Sequence, residues 1–328
     1  MNQKYLKLMI LFFVFLSFQG IIKGTSQGIN DRIVNRDNYV IRFPNGGPNL
    51  QFYLKNDENQ TQQQYRYTLS WSSLVEYTDL NNNGIFDKSD DTEVFSLNLK
   101  TLNFNFTEVP VNLTGINSET VTGKHFEFYA NFNHNGINGN IGIIVGWWNG
   151  FVKQPYGNTF INISQNQSKY IFTVNNWKFT SSQNRLALLV DVVTTTPLNK
   201  YKLYSFANGT FSMLTANNPD GKGHRGGVID NPSSVLVDSN FQQSNTSVRG
   251  NGVTIDLQYS FPSFSSSLVY DPTYSAVSVP NLPTSGNIDS SIVTSNQTTN
   301  GLPGFETQIL VLSLLLVVGI KTRKRFLQ

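Results

Sequence analysis

The sequence predicts an all-β protein: an antiparallel β-sandwich, jelly-roll-like, followed by a disordered stalk and a single C-terminal transmembrane helix. Three observations predict it. Between the two ends of the chain, apolar and polar residues alternate with a period of two, the signature of half-buried strands. Away from the termini, no stretch of roughly 11 residues or more keeps the apolar face of a helix. Near the C-terminus, a Ser, Thr, Pro and Asn-rich stretch is followed by an apolar run and a basic tip.

Residues 1–24 have the form of a secretory signal. Lys4 and Lys7 make a short basic start, Leu8 to Phe18 is apolar except for Ser17, and Gly20 or Gly24 offers a small residue for cleavage. Residues 25–270 form the expected sandwich. Tyr65, Tyr67, Leu69 and Trp71 alternate with polar residues, as do Leu102, Phe104 and Phe106, and again Phe126, Phe128, Ala130 and Phe132. Leu186 to Val193 is apolar apart from Asp191 and predicts a central strand. Further strands are expected at 201–206, 210–214, 234–237, 253–259 and 268–270, with Asn- and Gly-rich turns such as "NHNGINGN" between runs. Many short strands at turn-punctuated spacing are the mark of a sandwich. A split near Thr196-Pro197 would leave a thin second core, so one domain is expected.

Composition excludes several functions. The formal charge is +3, but the expected signal and tail carry seven of the cations and one acid. The remaining segment has 17 Lys and Arg against 20 Asp and Glu, with no basic cluster. That argues against a nucleic-acid partner, because neutralising phosphates needs gathered cations. The chain has no cysteine, so disulfides, thiolate metal sites and cysteine nucleophiles are absent.

The most chemically specific stretch is "DLNNNGIFDKSDD", residues 79–91. Asp79, Asn81, Asn83, the Ile85 carbonyl, Asp87 and Asp90 stand at the spacing with which a loop wraps oxygen ligands around calcium, and Gly84 permits the sharp turn. The loop resembles the calcium loops of dockerin-type and other extracellular repeats, where a short Asp closes the ring in place of the bidentate Glu of an EF-hand. Strand patterns at 74–77 and 94–99 flank it, so a structural clip between strands is expected rather than a helix-moving switch. Glu76, Asp79, Asp87, Asp90, Asp91 and Glu93 crowd negative charge here, with only Lys88 inside the loop to offset it.

Other chemistry is sparse. His125, His134 and His224 show no ligand spacing. Residues 218–230 are a Gly-rich loop carrying Lys222, His224 and Arg225, without the pattern of a phosphate cradle. Trp147-Trp148 offers a glycan-binding plate, since adjacent strand residues face opposite ways and one ring can stand exposed. Asn-x-Ser/Thr triplets occur at Asn59, Asn105, Asn112, Asn162, Asn166, Asn208, Asn245 and Asn296. A chain so rich in Asn, Ser and Thr carries about that many by chance, yet each is a local acceptor for N-glycosylation.

From residue 271 to 304 the composition loses large apolar residues and predicts a flexible stalk. Residues 305–328 form the expected anchor: 16 residues from Phe305 to Ile320, then Lys321, Arg323, Lys324 and Arg325. As a helix the apolar run is about 24 Å long, against a bilayer core of about 30 Å, and the cations belong on the cytoplasmic side. Pro303-Gly304-Phe305, the short apolar helix and the basic tip together resemble the tripartite C-terminal sorting tail of archaeal surface proteins. In that family a membrane transpeptidase-like sortase cuts the tail, which can be exchanged for a lipid. The resemblance implies display on the outer face of a membrane and nothing catalytic.

The expectation is a cell-surface, membrane-anchored ectodomain for adhesion, surface-layer assembly or ligand binding, with calcium as its cofactor and glycans or other surface proteins as partners. The alternative is a surface-displayed carbohydrate-active enzyme or carbohydrate-binding module.

Overall fold

The period-two runs become strands that pair antiparallel throughout. The computed structural model describes residues 32–35, 39–44, 48–54, 66–156, 159–165, 167–194, 201–205, 210–215, 224–251, 254–279, 281 and 293–295. The expected signal and anchor lie outside them, as do Asn59, Asn166, Asn208 and Asn296. Among the described residues no helix is long and apolar enough to cross a membrane.

In chain order the strands are β1 (Arg32–Asn35), β2 (Tyr39–Phe43), β3 (Leu50–Leu54), β4 (Tyr67–Thr78), β5 (Thr92–Asn98), β6 (Asn105–Thr114), β7 (Thr120–His134) and β8 (Ile137–Trp148). Then come β9 (Val152–Tyr156), β10 (Thr159–Ile163), β11 (Ser168–Asn175), β12 (Arg185–Thr194), β13 (Tyr201–Ser205), β14 (Thr210–Thr215) and β15 (His224–Asp230). The last are β16 (Ser234–Val237), β17 (Asn240–Gln243), β18 (Asn245–Asn251), β19 (Thr254–Phe261), β20 (Ser267–Tyr270), β21 (Thr273–Val279) and β22 (Val293–Ser295).

One sheet runs β1-β2-β3-β4-β12-β19-β18-β22, with β5 also on β4. The second runs β13-β14-β15-β21-β11-β20-β16-β17, and β8, β7 and β6 continue it from the other side of β11. The β9–β10 hairpin forms a small third sheet. As expected, β12 is central, between β4 and β19. Strands from both sides of Thr196-Pro197 pair with one another in both large sheets.

The inner faces meet through aromatic rings. Trp71 on β4 stacks on Phe172 of β11, with centroids 5.8 Å apart. Phe43 meets Phe126 edge-on at 4.8 Å, and Tyr259 meets Tyr270 at 5.0 Å. Such contacts join two apolar faces into one core, which must hold a chain without disulfides.

Two expectations need correction. The turn in "NHNGINGN" shrinks to Asn135-Gly136, both at positive φ, and Ile137 already pairs with His134. A two-residue Asn-Gly turn of this kind matches the right-handed twist of the strands it joins. The sandwich also does not stop at residue 270. β21 pairs with β15 over seven residues and with β11 at its start, and Tyr274 is buried in the core. Its backbone donors and acceptors are used by neighbouring strands, so residues 273–279 belong to the sandwich and not to the expected stalk. Three further residues of that segment, β22, pair with β18.

Candidate functional site

The acidic loop joins β4 to β5 and lies against the outer face of the first sheet. Ile85 and Phe86 are buried beneath it, and Phe86 packs 5.2 Å from Tyr77 in a small cluster with Val75 and Ala187. Side-chain oxygens hold its backbone. Asp79 accepts from the amides of Asn83 (3.2 Å) and Gly84 (2.8 Å), Asn81 from Asn83 (3.0 Å), and Asn83 from Ile85 (2.7 Å). Gly84 stands at φ +74°, and a Cβ there would lie 1.8 Å from Asn245 Nδ2. Both the backbone angle and the close approach require glycine.

Strand β18 of the same sheet pins the loop. Asn245 donates to the Gly84 carbonyl (3.0 Å), and Arg249 donates to Asp87 (2.8 Å). The backbone and hydroxyl of Ser89, followed by Arg249, hold the Asp87 carboxyl down at about 2. Asp79, Asn81 and Asn83 are therefore brought together around one turn, while Asp87 turns to Arg249 and Asp90 meets the Ser89 hydroxyl. Asp91, one residue outside the expected ring, closes the loop by accepting from Leu80 (3.0 Å) and Asp87 (2.8 Å). Among the described residues no three or more His, Asp or Glu side chains gather as a metal group.

Glu76 does not join the acidic crowd to which the sequence assigns it. It is fully buried and accepts from Thr180 N (2.7 Å), Asn184 Nδ2 (2.6 Å) and Trp177 Nε1 (3.1 Å), with His134 Nε2 at 3.1 Å. Burial pushes its carboxyl up, but these hydrogen bonds outweigh burial and hold it below the ordinary value. His134 is thus a core residue. Asp238 is a second such anchor, accepting from the backbone and hydroxyls of Ser265 and Ser266 and from the Ser267 amide.

The exposed plate expected at Trp147-Trp148 is absent. The two rings do face opposite ways, but both are buried. Trp147 packs on Phe126 in the core, 4.5 Å between centroids. Trp148 on the outer face is covered by Val152 and Ile163 of the β9–β10 hairpin together with Val121. The Gly-rich segment is also reassigned, since residues 224–230 form β15 and Arg225 is buried.

Sequence reasoning missed one arrangement on the outer face of the second sheet. Register sets His125 against Gly146, Gly146 against Lys169, Lys169 against Thr273, Thr273 against Asp230, and Asp230 against Thr210. Residues opposite one another across strands share a face, so this is one polar row across six strands. Lys169 and Asp271 are almost fully buried, with Nζ 2.9 Å from Asp271 Oδ1. Nζ also donates to the Asp271 carbonyl and to Thr273 Oγ1 (3.5 Å), and Thr210 donates to Asp230 (2.8 Å). Burial pushes the lysine down and both aspartates up, while the charges of each on the other partly oppose it. The only signal in the sequence is a lysine opening the apolar run "KYIFTV".

Three acceptor asparagines stand exposed on strands: Asn105 and Asn112 on β6 and Asn162 on β10. Asn245 is buried against the acidic loop, which removes it from the expected glycosylation set. Compared with known protein families and with curated proteins, the chain matches no family model and resembles no curated protein.

Proposed function

We propose that the protein is a membrane-anchored sandwich displayed on the outside of the cell, where it serves in adhesion or surface-layer assembly. The observation that carries this reading is where the polar chemistry is used. Glu76, Asp238, Asp271 and the acids of the 79–91 loop each hold strands or loops together. A two-layer fold whose acids are committed to its own integrity suits a part that binds or assembles. Trp147 and Trp148, the residues that pointed to a carbohydrate-binding module, are both buried.

The 79–91 loop is proposed as a calcium clip in which Asp79, Asn81 and Asn83 supply side-chain oxygens and Ile85 a carbonyl. Oxygen ligands held by short loop hydrogen bonds suit a hard cation, and Asp87 and Asp90 complete the set by turning from Arg249 and Ser89. The topology is tested with epitopes on intact cells. Protease should strip an epitope in the β18–β19 connection and leave one after Arg325 protected or already lost. A protected β18–β19 epitope would rule out surface display.

A further inference from the structure

From the contact between Lys169 and Asp271 we infer that these two side chains become joined by an intramolecular amide bond, stapling β11 to the connection between β20 and β21. The contact is direct and buried. Nζ stands 2.9 Å from Oδ1, with side-chain exposure of 1% and 2%. The carboxyl carbon is bonded to that oxygen, and attack requires it to come within about 3–3.5 Å of Nζ. Rigid sheet on both sides fixes this encounter. Lys169 lies in register with Gly146 of β8 and Thr273 of β21.

The environment favours the reactive protonation states. Two opposite charges removed from water lose solvation that their mutual attraction only partly restores. Burial moves the lysine toward the free amine and Asp271 toward the neutral acid, the nucleophile and the electrophile that amide formation needs. A second carboxyl, Asp230, lies in the same row and interacts electrostatically with Lys169. It too is pushed up by burial, and so can relay a proton between amine and departing hydroxyl.

The chemistry balances without any outside reagent. The Lys169 amine attacks the Asp271 carboxyl carbon, forming the carbon–nitrogen bond. The bond from that carbon to its hydroxyl breaks, and the hydroxyl leaves with one amine proton as water. Nothing is oxidised or reduced. A chain without cysteine has no disulfide to perform such a task.

The experiment uses the full-length protein, unfolded in denaturant and cut with a lysine-directed protease. Cleavage after Lys169 should fail, and mass spectrometry should find a branched peptide joining the Lys169 and Asp271 segments, lighter by one water than the two apart. Asp271→Ala should restore cleavage after Lys169, which separates the bond from any blockage by a neighbouring glycan. Asp230→Asn should lower the fraction of branched peptide several-fold. The wild-type readout follows denaturation, so it reports a covalent bond made in the folded chain and not a contact. The cooperative melt of each variant is measured beside it to separate lost chemistry from lost folding. Full cleavage after Lys169 in the wild-type protein, with both linear peptides recovered, would overturn the inference and leave a buried ion pair.

Discussion

Asn245 and Gly84 are 161 residues apart in the chain, yet the Asn245 amide donates to the Gly84 carbonyl at 3.0 Å. The same amide nitrogen occupies the space that a side chain at position 84 would need. The loop conformation and strand β18 are therefore parts of one fit.

That fit sets the first prediction. Gly84→Ala should cost about 1–3 kcal/mol through its positive φ alone, and more while Asn245 stands in the way. Asn245→Ala should cost about 1–3 kcal/mol by leaving a buried carbonyl unpaired. The double variant should lose less than the sum of the two, because the smaller residue removes the clash. Denaturant melts of all four proteins check this, and strictly additive losses would mean the residues do not compete for space.

Calcium provides the second. If Kd lies at about 10⁻⁴ to 10⁻³ M, as in extracellular modules, ~10 mM calcium should stabilise the fold by roughly 1.4–2.7 kcal/mol. Asp79→Ala should abolish the response. Asp91→Ala should lower stability with calcium or with chelator, because Asp91 closes the loop through two backbone amides. Identical calorimetric melts with calcium and with chelator would reduce the loop to a polar turn.

Acid should act on Glu76. Its folded value lies below the ordinary 4.5, so the unfolded chain binds the proton more tightly than the native state. The stability it contributes is complete above that ordinary value and is lost as pH falls through the lower, folded one. Glu76→Gln sets an amide among donors and should cost about 3 kcal/mol near neutral pH. It should also flatten the acid limb of a stability–pH curve, whereas an unchanged limb would assign acid sensitivity to other groups.

Strand β21 gives the fourth. Tyr274→Ala should cost about 3–5 kcal/mol, the range for removing a buried aromatic ring. A chain ending at residue 270 should lose its cooperative melt, since β15 and β11 would lose a partner. A sharp unchanged transition would show β21 to be dispensable.

How much of this is legible in sequence depends on how each element is buried. Strands β4, β7 and β12 stand out because one face is dry and rows of Phe, Tyr, Leu and Val mark it. The segment "TYSAVSV" hides in a Ser-rich context, since its place in the sheet comes from pairing with β15 and β11 and Tyr274 is its one large ring. Hairpin β9–β10 is short and carries Pro155, so periodicity cannot announce that it covers Trp148. The loop at 79–91 is visible because the hydrogen bonds of its first turn are local, spanning two to five residues. Lys169 and Asp271 meet only through the order of strands in a sheet, which no local pattern encodes.

The ladder between β21 and β15 has a mechanical side. Thr273 pairs with Asp230 at one end and Val279 with His224 at the other, seven pairs in all. Tension on the chain beyond Val279, directed along the strand, loads these pairs together in shear, while a pull across the sheet would unzip them one at a time. Strand β1, by contrast, hangs on the sheet margin by four pairs. Pulled from its C-terminal side, the sandwich should therefore yield at higher force than when it is peeled from Arg32, and the difference can be read in single-molecule traces.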